Sequence, residues 1–248
     1  MTTASDPPAW SWRWRPMTPA DLPAVLLIGD EIHRDLPEDE AVFRQRLLLF
    51  PAGCFALEIT EPAEHGEGGP PAASSDGGDS SARIGGYIMS FPIRRHRPPA
   101  LNALFPGGAL AADADQYYLH DVAVLPRFRA RGVASAGVRM VLGGSEGRGG
   151  SRNGNGCRER DGAQSGPAAA YETTSLVSVY GTCKFWERFG FRVIATAEGG
   201  LVRGNATDEE AEGESGGEGL WEALRDKLRG YGDDAKFMIR QNPAEAPA

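Results

Sequence analysis

Residues 117–134 read Tyr117-Tyr118-Leu119-His120-Asp121-Val122-Ala123-Val124-Leu125-Pro126-Arg127-Phe128-Arg129-Ala130-Arg131-Gly132-Val133-Ala134. A β-prone apolar run stops at Pro126. A basic turn with one glycine follows, and a helix-forming segment begins at Val133. A strand that delivers the chain to a turn at a helix N-terminus presents backbone N–H groups and positive potential together, which is what an anionic ligand needs. Gly132 and Ala134 keep the surface low enough for a pyrophosphate to approach, while Arg129, Arg131 and Ser135 can add charge and a hydroxyl.

Upstream of this stretch, residues 12–16 predict a first strand. Thr18-Pro19-Ala20-Asp21 has the composition of a helix start, with Thr18 as cap and Asp21 as the capping-box acid. Leu22, Val25, Leu26 and Ile32 form the stripe of that helix. Pro37-Glu38-Asp39-Glu40 opens a second helix faced by Phe43, Leu47 and Phe50. The three acids suit the helix dipole and could also draw in a cationic amine. Strands follow at 54–59 and 84–91, then a proline-rich connection from 92 to 114. Downstream, a helix spans 133–142, a strand 173–180, a short helix 183–189 and a strand 191–196. Leu220, Leu224 and Leu228 mark a last helix, and 236–240 a last strand. This alternation predicts a mixed α/β domain around one central sheet.

The 248 residues include three low-complexity stretches, 61–82, 143–170 and 198–219, which hold 21 of the 33 glycines. They bury too little apolar surface to offset the entropy of ordering them. They are read as insertions in a single domain spanning 11–241, with 1–10 and 242–248 as flexible termini. The same stretches carry the net charge: they sum to −10 against −8 for the whole chain, which leaves the rest near neutral. The acidity therefore says little about partners, and nothing suggests nucleic acid. Cys54, Cys157 and Cys183 are too few and too scattered for a zinc site or a disulfide framework, so no metal is expected. No apolar run is long enough to span a membrane, and residues 1–8 lack the pattern of a secretory signal. A cytoplasmic protein is the expectation.

Val122-Ala123-Val124, Pro126 and then Arg129-x-x-Gly132-x-Ala134 resemble the acetyl-CoA-binding motif of the GNAT superfamily of N-acetyltransferases. A second element, Phe185-Trp186-Glu187-Arg188-Phe189-Gly190-Phe191, is similar to the superfamily's aromatic-Glu-x-x-Gly-Phe segment. Arg15-Pro16-Met17-Thr18-Pro19-Ala20-Asp21-Leu22 is similar to its usual opening. The resemblance implies a mostly antiparallel sheet flanked by helices and splayed between its fourth and fifth strands, with acetyl-CoA in the gap. It implies cofactor contacts from Val122, Ala123, Val124, Arg129, Ala130, Arg131, Gly132, Val133, Ala134, Ser135 and Phe185.

For the chemistry, the resemblance implies direct attack of a primary amine on the thioester. Strand alternation places Tyr118, His120, Val122 and Val124 on one face and Asp121 on the other. His120 is then the leading general base, with Tyr118 beside it. The pattern looks like the arylalkylamine acetyltransferase branch, in which two histidines two apart relay the proton; Tyr118 replaces the first. The superfamily's usual acid, a tyrosine before the Glu of the second element, is Trp186 here, so Tyr180 is the nearest substitute. Arylalkylamines or polyamines are the favoured acceptors. A protein N-terminus or lysine, or a non-catalytic acyl-CoA-binding role, are the alternatives.

Overall fold

The computed structural model describes residues 10–60, 82–143, 166–201 and 217–243. Much of each predicted insertion, and Cys157, lie outside the described residues. One eight-stranded sheet organises the rest, in the order β1-β2-β3-β4-β5-β8-β6-β7. Its strands are β1 (Ser11–Pro16), β2 (Cys54–Thr60), β3 (Ala82–Ile93), β4 (Gln116–Val124), β5 (Thr173–Ser178), β6 (Arg192–Thr196), β7 (Gly200–Leu201) and β8 (Lys236–Gln241). Every pairing is antiparallel except β4–β5, which is parallel. This is the mixed, mostly antiparallel sheet expected from the sequence.

Helices α1 (Leu22–Ile32), α2 (Glu40–Leu49) and α5 (Gly217–Arg229) cover one face; α3 (Val133–Leu142) and α4 (Cys183–Glu187) cover the other. Leu22, Val25 and Ile28 are buried on α1, a helical spacing facing Tyr87, Met89 and Phe91 of β3. On the opposite face Val138, Val141 and Leu142 of α3 pack against Ile88, Leu119 and Leu176. Helix α3 sits unusually close to the sheet. A Cβ at Gly137 would lie 2.6 Å from Trp14, whose indole N–H donates to the Val133 carbonyl at 2.9 Å.

Several boundaries differ from the sequence reading for identifiable reasons. Pro19–Asp21 forms a 3-10 turn before α1. The Asp21 carboxylate accepts from the Thr18 N–H and hydroxyl and from both terminal nitrogens of Arg15, and these bonds fix the turn. Strand β3 continues through Pro92 to Ile93 instead of ending before the proline. Residues 166–170, assigned to the second insertion, end in a packed 3-10 turn, Pro167–Ala170, with Ala168 fully buried. Strand β7 and the first turn of α5 fall inside the third. Two residues assigned to flexible termini are also held in place. Trp10 packs on Phe128 at 5.1 Å between ring centres, and the Asn242 amide donates to the carbonyls of Ala168 and Tyr171.

Candidate active site

Strands β4 and β5 pair only at Tyr117–Thr174, Tyr118–Ser175 and Leu119–Leu176. Past Leu119 they part. The cause lies on the other edge of β4. Against β3 the register runs Phe91–Tyr118, Ser90–Leu119 and then Met89–Asp121, so His120 is an extra residue in β4. A bulge bends its strand and sharpens the twist, which carries β4 away from β5. The gap is a cleft of about 730 Å³ whose walls include Val122 and Val124 from β4, Val177 from β5 and Val179 just past its end. That size suits a small organic molecule.

The bulge also overturns the face assignment. Past an inserted residue, strict alternation fails, and His120 and Asp121 both point toward α1 and α2. His120 contacts Phe91 and Tyr118, and Asp121 bonds Tyr87 and His33. Asp121, expected on the far face, lines the cleft. Tyr118, expected to border the chemistry, is fully buried beneath it. Burial, with the Tyr231 hydroxyl beside it, pushes the Tyr118 phenol well above its ordinary range.

At one end of the cleft the chain turns through Pro126–Phe128 and enters α3. Ala130 and Gly132 both take left-handed conformations, with φ of 61° and 80°. Left-handed residues alternating with others turn successive N–H groups to one side, and the first N–H groups of a helix have no partner inside it. A Cβ at Gly132 would meet nothing, so glycine is needed there for its backbone angle and not for space. Ala130, Gly132, Val133, Ala134, Ser135, Arg129 and Phe185 line the cleft. Ala123 is buried beside it and Arg131 lies over the Trp10 ring at 4.6 Å, so neither forms part of the wall. Arg129 donates from Nε to the Val124 carbonyl at 2.8 Å. Arg188, which the sequence reading did not single out, donates to the Ser135 hydroxyl at 2.7 Å and lies over the Phe185 and Phe189 rings.

The other end holds two linked polar clusters. In the first, Glu38 accepts from Arg46 at 2.8 and 2.9 Å and lies 2.7 Å from His120 Nε2. These side chains are almost wholly buried. Burial opposes a charged Glu38, yet His120 and Arg46 outweigh it and hold the carboxyl well below the usual carboxylate range. In the second, Asp121 sits 2.9 Å from His33 Nε2 and accepts from the Tyr87 hydroxyl. Burial opposes the Asp121 charge, but His33, His120 and Tyr87 together lower its pKa. His33 stacks on Tyr180, with ring centres 5.9 Å apart and planes 18° from parallel. Tyr180 is 46% exposed at the rim with a φ of 54°. Trp186, where the superfamily's usual acid would stand, packs against Phe185 and Phe191.

The connection after β3 closes this end. Asn102 accepts from the Asp39 N–H and donates its own N–H to Glu38; the Phe105 N–H bonds Gln45. Lys227 of α5 donates to the Pro98 carbonyl, and the hydroxyl of Tyr231, two residues past the helix, donates to the Pro99 carbonyl. Leu101 is thereby placed in the wall. Among the described residues no cluster of His, Cys, Asp and Glu is built to hold a metal ion, and no helix is long and apolar enough to cross a membrane. Cys54 is buried, its thiol pushed up to about 12, and Cys183 is half-buried.

No protein-family model and no curated protein matches the chain. Among solved structures it is similar to Ard1 from Thermoplasma volcanium, at 13% identity and TM-score 0.49 over 94% of this chain and 98% of that one. It is similar to NAA60 of Arabidopsis thaliana in complex with a bisubstrate analogue, at 11% identity and TM-score 0.49 over 93% and 98%. It is likewise similar to Rv2747 of Mycobacterium tuberculosis in complex with CoA and NLQ, at 13% identity and TM-score 0.48 over 92% and 98%. At such identities the likeness says nothing of activity, and the function proposed below stands on this chain's own residues.

Proposed function

We propose that the chain is an N-acetyltransferase that uses acetyl-CoA to acetylate a primary amine. One observation carries this reading. The cleft opened by the bulge at His120 leads directly to the left-handed turn at Ala130 and Gly132 and the start of α3. A ligand with a slender arm and a pyrophosphate fits that shape. The arm lies between Val122, Val124, Val177 and Val179. The pyrophosphate meets the N–H groups of residues 130–135, with Arg129 adding charge. Acetyl-CoA supplies an activated acyl group there, and the chain's own residues bind and orient it.

At the far end, His33, Asp121, His120, Glu38 and Tyr180 surround the place where the amine must arrive. A protonated amine has no lone pair for attack, so a base beside it is required. Its strand position makes His120 one candidate for that base, and Tyr180, at the rim of the cleft, is the proposed proton donor to the departing sulfur. A small amine is favoured over a peptide because the connection carrying Leu101 and Asn102 is tied to α2 and α5 and walls off that end. Apolar Leu26, Ile32, Leu36 and Leu101 with carboxylates among them suit an amine with an apolar body.

The experiment is release of CoA thiol from acetyl-CoA across a panel of arylalkylamines, polyamines and peptides with free N-termini. Turnover of a small amine with little of any peptide is expected. Turnover of peptides alone would move the acceptor to a protein. Tight acetyl-CoA binding without thiol release would leave a binding module.

A further inference from the structure

His33 ends α1, its N–H bonded to the Gly29 carbonyl at 2.7 Å. From there its ring reaches β4, with Nε2 2.9 Å from one Asp121 oxygen; the other Asp121 oxygen takes the Tyr87 hydroxyl. Tyr180 stacks on the ring. All four residues line the cleft. An ionised carboxylate only accepts, so Nε2 carries the hydrogen in this contact and Nδ1 keeps the lone pair. An aspartate that fixes a histidine's tautomer in this way makes the remaining nitrogen a competent base.

His120 is placed differently. Its Nε2 lies between Glu38 and Arg46, each 2.7 Å away, its Nδ1 is buried without a hydrogen-bond partner, and its side chain is 3% exposed. The His33 side chain is 18% exposed. A group that must meet the amine and then return a proton to water needs that access.

We infer that His33, oriented by Asp121, is the general base for the acceptor amine, an inference that rests on the acetyltransfer reading above. The ammonium gives one proton to His33 Nδ1. The freed nitrogen lone pair forms a C–N bond to the thioester carbonyl carbon. Collapse of the tetrahedral species breaks the C–S bond. The second nitrogen proton reaches the departing sulfur through the Tyr180 hydroxyl, and His33 releases its proton to water. The groups facing His33 are Asp121 and Glu38, the Arg129 guanidinium, and the Tyr180 ring. Burial disfavours the charged ring and Arg129 adds to that, but Asp121 and Glu38 outweigh both and hold His33 above its ordinary value.

The test uses the full chain with its best amine, the pH profile of kcat, acetyl-CoA affinity by calorimetry, and histidine ring titration by NMR. In the unaltered chain kcat should fall on the acid side with a midpoint above the ordinary histidine value of about 6.5, matching the ring titration of His33. His33→Gln should remove that limb and lower kcat by roughly 100-fold or more, with acetyl-CoA affinity unchanged. Asp121→Asn should shift the limb to lower pH. If that variant does not fold, agreement between the His33 titration and the kcat limb decides the matter. Retention of the limb and of near-full kcat in His33→Gln overturns the assignment, as does its loss in His120→Gln alone. A chain that acetylates no amine fails the acetyltransfer reading itself, and the base falls with it.

Discussion

The carboxylate of Glu38 lies 2.7 Å from His120 Nε2 and 2.8 Å from Arg46 Nη1, across 82 residues of sequence to one and eight to the other. Arg46 is 1% exposed. This one carboxylate therefore neutralises a cation that has no access to water. It also ties the segment before α2 to the bulge in β4. Removing one partner of a buried pair strands the other, which costs about 3–5 kcal/mol. Glu38→Gln should destabilise the chain by that order, read as a lower urea midpoint. Glu40 pairs with Arg44 on the outside of α2, both more than half exposed. Glu40→Gln should cost less than about 1 kcal/mol. Equal losses in the two variants would show that the buried pair is not structural.

Gly132 takes a φ of 80° with open space where a Cβ would stand. An added methyl meets no atom, so its whole effect is on the backbone angle. For a residue with a side chain the left-handed region costs about 1–2 kcal/mol. Gly132→Ala should therefore weaken acetyl-CoA binding roughly five- to thirty-fold as the turn relaxes, with little change in secondary structure by circular dichroism. Calorimetric titration with CoA checks this. Unchanged affinity would place the pyrophosphate elsewhere.

The sequence around these residues was legible to different depths. The run into Pro126, the turn and α3 at Val133–Leu142 could be read in place, because an apolar β run, a proline and an amphipathic helix each leave a local pattern. Alternation failed at one residue. The bulge at His120 depends on the pairing with β3, and nothing local in β4 marks it. That slip moved Asp121 to the cleft and left Tyr118 beneath it. His33 carries no local signal either. It becomes visible only when α1 docks and sets its ring against Asp121, 88 residues away. The packed turn at Pro167–Ala170 was hidden by composition, since small residues read as spacer whether or not a partner such as Asn242 binds them.

His96 lies between the Trp221 and Phe237 rings. Burial first, and then Arg95, pulls its pKa down to about 4, against a small opposing effect of Asp115. The unfolded chain binds this proton near pH 6.5 and the folded chain only near 4. Folding is therefore unaffected by His96 above about pH 6.5 and is progressively penalised between there and pH 4. The penalty reaches about 3 kcal/mol at full extent. Urea midpoints at pH 7 and pH 4.5 should differ more for the unaltered chain than for His96→Asn, which tolerates the same left-handed backbone of 58°. An equal drop in both would mean that the acid lability comes from other groups.

Asn102 is the pin of the wall at the acceptor end. Its side-chain oxygen accepts from the Asp39 N–H at 2.7 Å, its amide donates to the Asp39 carboxylate at 3.1 Å, and its backbone N–H bonds Glu38 at 3.0 Å. Its φ of 53° is one that asparagine and glycine accept. Asn102→Gly keeps that backbone and removes only the two side-chain bonds, each worth about 1 kcal/mol. Leu101 is then held only by the remaining bonds of Asn102 N–H, Phe105, Lys227 and Tyr231, and the wall of the cleft loosens on the side away from the turn at Gly132. The KM for a small amine should rise several-fold, acetyl-CoA affinity should stay as it was, and larger amines should gain relative to small ones. If KM for the amine and the order of preference among amines are both unchanged, the loop does not bound the acceptor pocket. The preference for a small acceptor would then lose its support.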